Sequence, residues 1–292
     1  MTRSRFLSLD SAGLKYLVLL RPVLRTRMGD RMSSTGKEIR LRRLFSGGKA
    51  LVVAMDHGVS SGPVAGLEDI RKAVANVAKG GATGVVLHKG VVRFAKDYFD
   101  ERLALILHLS ASTSLSTQAD RKVLVTEVEE AIAHGADAIS VHVNLGGDDD
   151  DRMLADLGAT ARGCSRFGLP LLAMMYPRGS NVKNPYDVDV VKHVARVGAE
   201  LGADVVKTVY TGSSDTFREV IRGCPVPVLV AGGPKLDSDR AALSMVEGAI
   251  AGGAAGVSIG RNIFQSKGPI GMTRAIARVL FEGASADDVY RG

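Results

Sequence analysis

One lysine, Lys207, lies inside the run GADVVKTVYTG (202–212), which otherwise predicts a buried strand. Alternation along that strand places Lys207 on the same face as Val205 and Val209. Burial disfavours the charged ammonium and lowers the pKa of the amine, and a neutral amine near pH 7 can attack a carbonyl to form a Schiff base. The alternative is a lysine with a buried stem whose ammonium reaches solvent or a carboxylate such as Asp56. The placement of Lys207 alone leaves both interpretations open.

The strand that carries Lys207 is one of a series that alternates with helices. Four segments share a Gly-Ala followed by an apolar run, and each comes after an amphipathic helical pattern. They are GGATGVVLH (80–88), HGADAISVH (134–142), LGADVVKTVY (201–210) and GGAAGVSIG (252–260). The remaining strands are ALVVAM (50–55), LALILHL (103–109), PLLAMM (170–175) and VPVLVA (226–231).

This series predicts an α/β fold, a TIM (β/α)8 barrel, because eight near-even units fit the roughly 250 residues that such a barrel takes. An open doubly wound sheet is the competing architecture, but no GxGxxG follows the first strand. We expect the barrel to occupy residues 36–292. Residues 1–35 are interpreted as a short, basic and flexible N-terminal extension.

The ends of the strands carry the polar residues to consider, since active sites of such barrels lie at the C-terminal rim. Asp56 and His57 follow the first strand, and Tyr176 ends the fifth. Asp56 could orient a hydroxyl or take a proton, or it could cap the following turn. Tyr176 could transfer a proton, or it could close the core with its hydroxyl in water. His57 could position Asp56 or contact a substrate, although a structural histidine is the simpler interpretation.

The loops after the last two strands predict a phosphate site. Gly232, Gly233 and Gly260 would let backbone N–H groups approach an anion, and the cations Lys235 and Arg261 stand beside them. These two loops are also the usual phosphate-binding loops of the fold. The alternative, that the glycines only form tight turns, does not account for a cation in each loop.

Three histidines suggest a metal-dependent lyase as the main enzymatic rival. His88, His108 and His142 end three successive strands, and three imidazoles can hold a catalytic zinc ion. No carboxylate stands near them in a pattern that would orient the imidazoles, and Lys207 would have no role. We therefore predict no metal site and no cofactor. The acidic run at 148–151 precedes a helical pattern and is interpreted as negative charge at a helix N-terminus.

The net charge of +7 comes from the N-terminal segment. Residues 1–45 contain 11 of the 38 Lys and Arg residues and only 3 of the 31 Asp and Glu residues. The rest of the chain shows no basic stripe with interleaved aromatic residues, which argues against a nucleic-acid partner. Met28 or Met32 could be an alternative start that leaves a shorter extension.

The sequence predicts a cytoplasmic protein with no membrane partner. The apolar run LKYLVLL (14–20) is too short for a bilayer, which takes about 20 apolar residues, and no small-residue cleavage site is evident. Cys164 and Cys224 stand outside any CxxC motif, so we expect reduced thiols.

Seven motifs, in order from about Gly36 to the end of the chain, resemble those of the class I aldolases of archaeal type. They are MDHGVSSGP, LHKG, HVNLG, AMMYPRG, GAELGADVVKT, VAGGPK and GRNIFQ. Within that superfamily the chain is most similar to the branch of 2-amino-3,7-dideoxy-D-threo-hept-6-ulosonate synthases. The resemblance implies a ring-based homo-oligomer, for which a decamer is one form.

The resemblance also implies roles for individual residues. Lys207 would be the Schiff-base lysine, Tyr176 the proton donor and Asp56 the proton acceptor. The sugar site would comprise Asp56, His57, Gly58, Val59, Ser60, Tyr176, Pro177 and Arg178. The phosphate site would comprise Gly232, Gly233, Gly260 and Arg261.

The implied reaction is that of a transaldolase. A phosphorylated keto sugar, a 6-deoxy-5-ketofructose phosphate, would leave an enamine on Lys207, and the enamine would attack L-aspartate semialdehyde. Related enzymes are thought to join dihydroxyacetone phosphate to the same aldehyde on the way to aminohydroxybenzoates, and the motifs do not separate the two reactions. Class I fructose-bisphosphate aldolases typically carry Glu-His where this chain has Ser60 and Ser61, which disfavours that activity. A non-catalytic phosphosugar-binding protein is disfavoured because Lys207, Tyr176 and Asp56 are all present.

Overall fold

Eight parallel strands close into a barrel in the computed structural model, which describes residues 35–99 and 102–291. In chain order the barrel strands are β1 (Ala50–Ala54), β2 (Gly84–Leu87), β3 (Ala104–His108), β6 (Ala138–Leu145), β7 (Leu171–Pro177), β8 (Val205–Thr208), β9 (Val228–Ala231) and β10 (Gly256–Ile259). Around the barrel they follow the order β1-β10-β9-β8-β7-β6-β3-β2, and β1 pairs with both β10 and β2. The predicted TIM barrel is confirmed.

Two further strands, β4 (Ser110–Ala111) and β5 (Val123–Leu124), form a small antiparallel pair outside the barrel. The sequence patterns did not predict this pair. Since each strand is only two residues long, it leaves no periodicity to detect. The pair matters for the site because it carries a loop, residues 112–122, to the barrel mouth.

Helices surround the barrel. Along the described chain they are α1 (Thr35–Leu44), α2 (His57–Ser61), α3 (Ile70–Gly80), α4 (Lys89–Ala95), α5 (Val128–Ala133), α6 (Asp150–Phe167), α7 (Val188–Glu200), α8 (Ser214–Gly223), α9 (Asp239–Ala251), α10 (Arg261–Phe264), α11 (Pro269–Ala277) and α12 (Ala286–Arg291).

The local sequence explains where the helices begin and end. The side chains of Ser213 and Ser238 accept hydrogen bonds from backbone N–H groups in the first turns of α8 and α9, which satisfies donors that the helix leaves free. Gly81 ends α3 with φ of +93°, a conformation that other residues adopt at a cost. These signals occur in the Gly-Ala and Ser-containing segments that predict the alternation.

Each strand of the barrel buries both faces, one against the helices and one toward the barrel axis. Val206 faces outward and packs against Gly198 of α7. A Cβ built on Gly198 would lie 3.1 Å from Val206 Cγ2. Val205 and Lys207 alternate with it and therefore face inward, where the register pairs them with Leu172 and Met174 of β7. The predicted inward face of the Lys207 strand is confirmed.

The helix α1 packs at the N-terminal ends of the strands, opposite the rim that carries the site. Lys37 forms an ion pair with Asp204 at 2.9 Å, and Arg43 pairs with Asp137. Leu44 is buried beneath Gly84 of β2. Part of the basic segment 1–45 is thus bound to the barrel through acidic partners.

Residues 1–34 lie outside the described residues, so the predicted flexible extension over 1–35 and the alternative starts at Met28 and Met32 stay predictions. The acidic run at 148–151 does lie where α6 begins, and Asp150 accepts hydrogen bonds from Gly146 and Gly147 N–H groups at 2.8 and 3.0 Å. In the part of the chain that the structure describes, no helix is both long and apolar enough to cross a membrane.

Candidate active site

Lys207 is buried at the mouth of the barrel, with 6% of its surface exposed. Its Nζ lies 3.9 Å from the sulfur of Met174. Among the described residues no carboxylate lies within ion-pair distance of Nζ, so neither the solvent-reaching lysine nor the lysine paired with Asp56 describes what the structure shows. The buried amine contacts the Met174 sulfur and lies within electrostatic range of Asp56, His57 and His108, at a place where it can react with a carbonyl carbon that enters the mouth.

Asp56 follows β1 and turns toward the same mouth. One carboxylate oxygen, Oδ2, lies 3.8 Å from Nε2 of His108, whose Nδ1 is hydrogen-bonded to the Ser140 hydroxyl at 2.8 Å. The other oxygen, Oδ1, is buried without a hydrogen-bond partner and lies 3.9 Å from Nδ1 of His57. A buried carboxylate oxygen without a donor is placed to accept a hydrogen bond from a substrate hydroxyl.

The electrostatics keep Asp56 ionised. Burial by itself would raise the pKa of its carboxyl, but the positive charges that His108, His57, Lys207 and His88 can carry outweigh burial, so the pKa lies below its usual value. Burial lowers the pKa of His108 to about 4, against the opposing effect of Asp56. At neutral pH the pair is therefore a carboxylate beside a neutral imidazole.

Tyr176 lies near the end of β7 on the rim beyond Met174. Its ring packs against His142, with the ring centroids 4.8 Å apart, and the guanidinium of Arg178 lies 5.9 Å from the Tyr176 ring. His142 Nε2 is hydrogen-bonded to Asn144 Oδ1 at 2.8 Å. Burial lowers the pKa of His142 well below its ordinary value, so the tyrosine packs on a neutral imidazole.

The three histidines of the zinc alternative do not form a ligand set. His88 and His108 are in edge-to-face contact, with ring centroids 5.2 Å apart, whereas His142 is bonded to Asn144 and packs on Tyr176. In the described ranges no group of three or more His, Cys, Asp or Glu side chains is arranged to hold a metal ion. The imidazoles instead line the wall between Asp56 and Tyr176.

The glycine loops after β9 and β10 lie side by side. Arg261 donates to the carbonyl of Gly233 at 3.0 Å, and its Nε is buried without a partner. Gly233 has φ of +65°, and Gly260 has no room for a side chain, because a Cβ would lie 2.6 Å from both Ala54 O and His57 Cε1. Lys235 points away from this place and forms an ion pair with Asp239 at 3.1 Å. The described geometry leaves Arg261 as the cation that joins the two loops.

The remaining residues of the expected sugar site lie on α2 and after β7. His57, Gly58, Val59 and Ser60 belong to α2, a helix that the sequence patterns did not predict. Val59 is 42% exposed, while His57 packs edge-on against Phe264 with ring centroids 5.3 Å apart. Pro177 and Arg178 continue β7 beyond Tyr176 and line an open cleft.

The sequence patterns did not single out Asn262, which holds the site together. Asn262 donates to the carbonyls of Gly232 and Pro234 at 2.8 and 3.0 Å and accepts from the N–H of Leu236 at 2.8 Å. It therefore clamps the loop after β9 to the loop after β10. His108, a candidate zinc ligand by its position in LALILHL, instead lies 3.8 Å from Asp56, a partner that the sequence pattern does not show.

Comparison with known proteins adds an independent finding. The profile described as DeoC/LacD family aldolase matches residues 50–266. A 2-amino-4,5-dihydroxy-6-oxo-7-(phosphonooxy)heptanoate synthase of Streptomyces griseus is 41% identical over 246 residues, which is 84% of this chain and 90% of the relative. A 2-amino-3,7-dideoxy-D-threo-hept-6-ulosonate synthase of Archaeoglobus fulgidus is 42% identical over 261 residues, which is 88% of this chain and 96% of the relative.

A solved structure is similar in fold as well as in sequence. It is a Schiff-base-forming fructose-1,6-bisphosphate aldolase, and it superimposes with a TM-score of 0.78 at 32% identity over 85% of this chain and all of the other.

Proposed function

Because the chain belongs to the DeoC/LacD family of aldolases, we propose that Lys207 forms a Schiff base with a phosphorylated keto sugar and that the resulting enamine adds to L-aspartate semialdehyde. The chain is a Schiff-base, class I aldolase like its relatives. The observation that carries the assignment of Lys207 is its burial at the barrel mouth, on the inward face and without a carboxylate partner among the described residues.

The first step is the addition of the Lys207 amine to the ketone carbon of the donor. The C–N bond forms as the carbonyl oxygen takes up a proton, and loss of water from this carbinolamine leaves an iminium ion. The iminium withdraws electrons from the adjacent carbon. An enamine then remains on the lysine, either when the C–C bond at that carbon breaks and the other fragment leaves as an aldehyde, or when a base takes a proton from that carbon.

Asp56 and Tyr176 supply the proton transfers. Asp56 is ionised, and its partner-free Oδ1 can accept a proton from a donor hydroxyl as the C–C bond breaks. Tyr176 can donate its phenolic proton to the oxygen that leaves as water, or to the alkoxide that forms when the enamine attacks the aldehyde. The second step joins the enamine carbon to the aldehyde carbon, and water then releases the product from Lys207.

The loops after β9 and β10 would hold the donor phosphate. Arg261 Nε is buried without a hydrogen-bond partner, as expected for a donor whose partner is a bound anion. Gly260 packs so closely against Ala54 and His57 that a Cβ would clash, and a glycine backbone without a side chain can present its N–H group to an anion.

Dihydroxyacetone phosphate is the second candidate donor. The Streptomyces griseus relative is named for a heptanoate with a phosphate on carbon 7, an oxo group on carbon 6 and hydroxyls on carbons 4 and 5. Aldol addition of dihydroxyacetone phosphate to L-aspartate semialdehyde produces this pattern of groups, with the new bond between carbons 4 and 5. In this version Asp56 takes a proton from the carbon next to the iminium to give the enamine, and no C–C bond of the donor breaks.

Borohydride trapping tests both the lysine and the donor. The protein is incubated separately with dihydroxyacetone phosphate, fructose bisphosphate and 6-deoxy-5-ketofructose phosphate, then reduced, and the adduct is located by peptide mass spectrometry. We expect an adduct on Lys207 with the true donor, and a seven-carbon amino acid product when L-aspartate semialdehyde is added. Lys207→Met should lose both.

Lys49→Met is the matched control. Burial lowers the pKa of the Lys49 amine, yet its Nζ donates to Ala254 O at the opposite end of the barrel. Lys49 in the native protein would be labelled if substrate carbonyls added to any buried amine, so we expect no adduct on Lys49. The Lys49→Met variant should keep both the adduct on Lys207 and the product. Full turnover by Lys207→Met, or an adduct confined to other lysines, would refute the proposed mechanism.

A further inference from the structure

A cleft of about 490 Å³ opens at the barrel mouth next to the strand that carries Lys207. We call it the rim cleft and define it by Asp120, Tyr176, Arg178, Val182 and Val209, which line it. Val209 stands two residues after Lys207, and Tyr176 stands two residues after Met174, which contacts Lys207. A molecule in the rim cleft can therefore place one end beside the reacting amine.

The rim cleft and the phosphate loops lie on opposite sides of β8. This strand pairs with β9 on one side and with β7 on the other. The phosphate loops follow β9 and β10, whereas the rim cleft follows β7. A donor anchored at Arg261 and an acceptor in the rim cleft would thus approach Lys207 from different sides without competing for space.

Opposite charges meet in the rim cleft. Arg178 and Asp120 form an ion pair at 3.2 Å, and both side chains remain about half exposed to the cleft. An arginine can bind a carboxylate through two parallel hydrogen bonds, and an aspartate accepts hydrogen bonds from an ammonium group. Because the ion pair is exposed, it contributes little to the stability of the fold. The two side chains can therefore separate and bind the two charges of a zwitterion instead.

The backbone around Asp120 is held in place. Asn144 at the end of β6 donates to the carbonyl of Asp120 at 2.6 Å. The buried amine of Lys122 donates to the carbonyl of Ala119 at 3.1 Å and to the Ser112 hydroxyl. Such ties fix the loop 112–122 over the cleft, so Asp120 is presented at a defined place.

From this arrangement we propose that the rim cleft binds the α-amino-acid head of the acceptor aldehyde, with Arg178 on the carboxylate and Asp120 on the ammonium group. The proposal rests on the proposed function, since it names where that reaction's second substrate binds. It assigns Asp120 as the residue that selects an amino acid over a simple aldehyde acid. The family resemblance assigns Arg178 to the sugar site in general, and the proposal assigns it to the carboxylate of the acceptor.

The test compares two acceptors that differ only in the amino group, L-aspartate semialdehyde and succinate semialdehyde. We expect the native protein to favour L-aspartate semialdehyde, and Asp120→Asn to lose about tenfold to a hundredfold in kcat/KM for it, because a hydrogen bond to a charged group is lost. The value for succinate semialdehyde should stay nearly unchanged. Arg178→Gln should lower kcat/KM for both acceptors, because both carry the carboxylate.

Asp149→Asn is the matched control, because Asp149 is another rim carboxylate, paired with Arg121 at 3.5 Å, that does not line the rim cleft. It should keep the native preference. Borohydride trapping with the donor alone separates the two proposals. If the native protein shows no donor adduct on Lys207, the proposed function fails. If the adduct and the product form but Asp120→Asn keeps the native preference, the assignment of the rim cleft is wrong.

Discussion

In the proposed mechanism Lys207 is the nucleophile and Asp56 the base, and the two side chains have different neighbours. The lysine contacts the Met174 sulfur, while the carboxylate lies near the imidazoles of His108 and His57. Lys207 and Asp56 share one cavity and interact electrostatically, since Lys207 contributes to the lowered pKa of Asp56.

Tyr176→Phe should retain the Schiff base and lose turnover. The phenylalanine ring keeps the packing against His142, so only the proton transfer is removed, and positioned general acids contribute about a hundredfold or more. We expect kcat to fall by about that factor, and the donor adduct on Lys207 to form more slowly but still to be trapped on long incubation. The measurement is steady-state kinetics together with borohydride trapping.

Tyr290→Phe on α12 serves as the matched control, since this tyrosine is exposed and far along the chain from the rim. It should behave as the native protein does. Native kcat in Tyr176→Phe would remove the tyrosine from the mechanism.

The loops after β9 and β10 act as one element because Asn262 and Arg261 tie them together. Asn262 is fully buried and bonds three backbone groups of the neighbouring loop. Gly260 begins the short helix α10 in a gap bounded by Ala54 and His57. The conformation of this pair of loops thus depends on the absence of a side chain at residue 260.

Gly260→Ala should weaken donor binding. The added Cβ would lie 2.6 Å from the Ala54 carbonyl oxygen, so the loop has to shift, and overpacking of this kind costs about 1–3 kcal/mol. We expect KM for the phosphorylated donor to rise about tenfold, with the thermal midpoint lowered. The measurements are initial rates over a range of donor concentrations and thermal denaturation.

Gly271→Ala provides the comparison for this substitution. Gly271 lies on α11, where a Cβ would meet nothing within 4 Å, so the change should leave the donor KM as it is. An unchanged donor KM in Gly260→Ala would argue against a phosphate at this loop.

The whole molecule carries a buried cluster of neutral histidines in the barrel mouth, and this cluster ties stability to pH. His108 faces Asp56, His88, Lys207 and Lys122, and burial lowers its pKa from the ordinary 6.5 to about 4. In the unfolded chain the imidazole takes up a proton below about pH 6.5, whereas in the folded chain it does so only near pH 4. Stability is therefore lost as the pH falls from 6.5 to 4.

His108→Gln should make this acid dependence shallower. The lowered pKa corresponds to roughly 3 kcal/mol of stability lost once the pH is below both values. We expect the thermal midpoint of the variant to fall less than that of the native protein between pH 7 and 4.5, whatever its value at pH 7. The exposed His193 of α7 supplies the control, and His193→Gln should keep the native slope. Equal slopes for all three proteins would contradict the role of His108.

The fold and the buried, inward placement of Lys207 were both predictable from the sequence, because the signals are local. Gly-Ala turns, amphipathic helices and apolar runs are short-range signals, and eight of them in series leave a barrel as the simplest closed arrangement. Lys207 stood out because a charge inside an apolar run costs free energy unless it has a use. Strand alternation was enough to place it inward.

Only the tertiary structure decided which polar groups meet. The pairing of His108 with Asp56, the packing of His142 on Tyr176 and the clamp formed by Asn262 join strands and loops that are distant along the chain. The same holds for Asp120, whose loop leaves no periodic signal yet reaches Arg178 across 58 positions. Side-chain chemistry and periodicity depend on residues that are neighbours in the sequence. Which side chains meet across the barrel mouth depends on how the eight strands close, and that is a property of the whole chain.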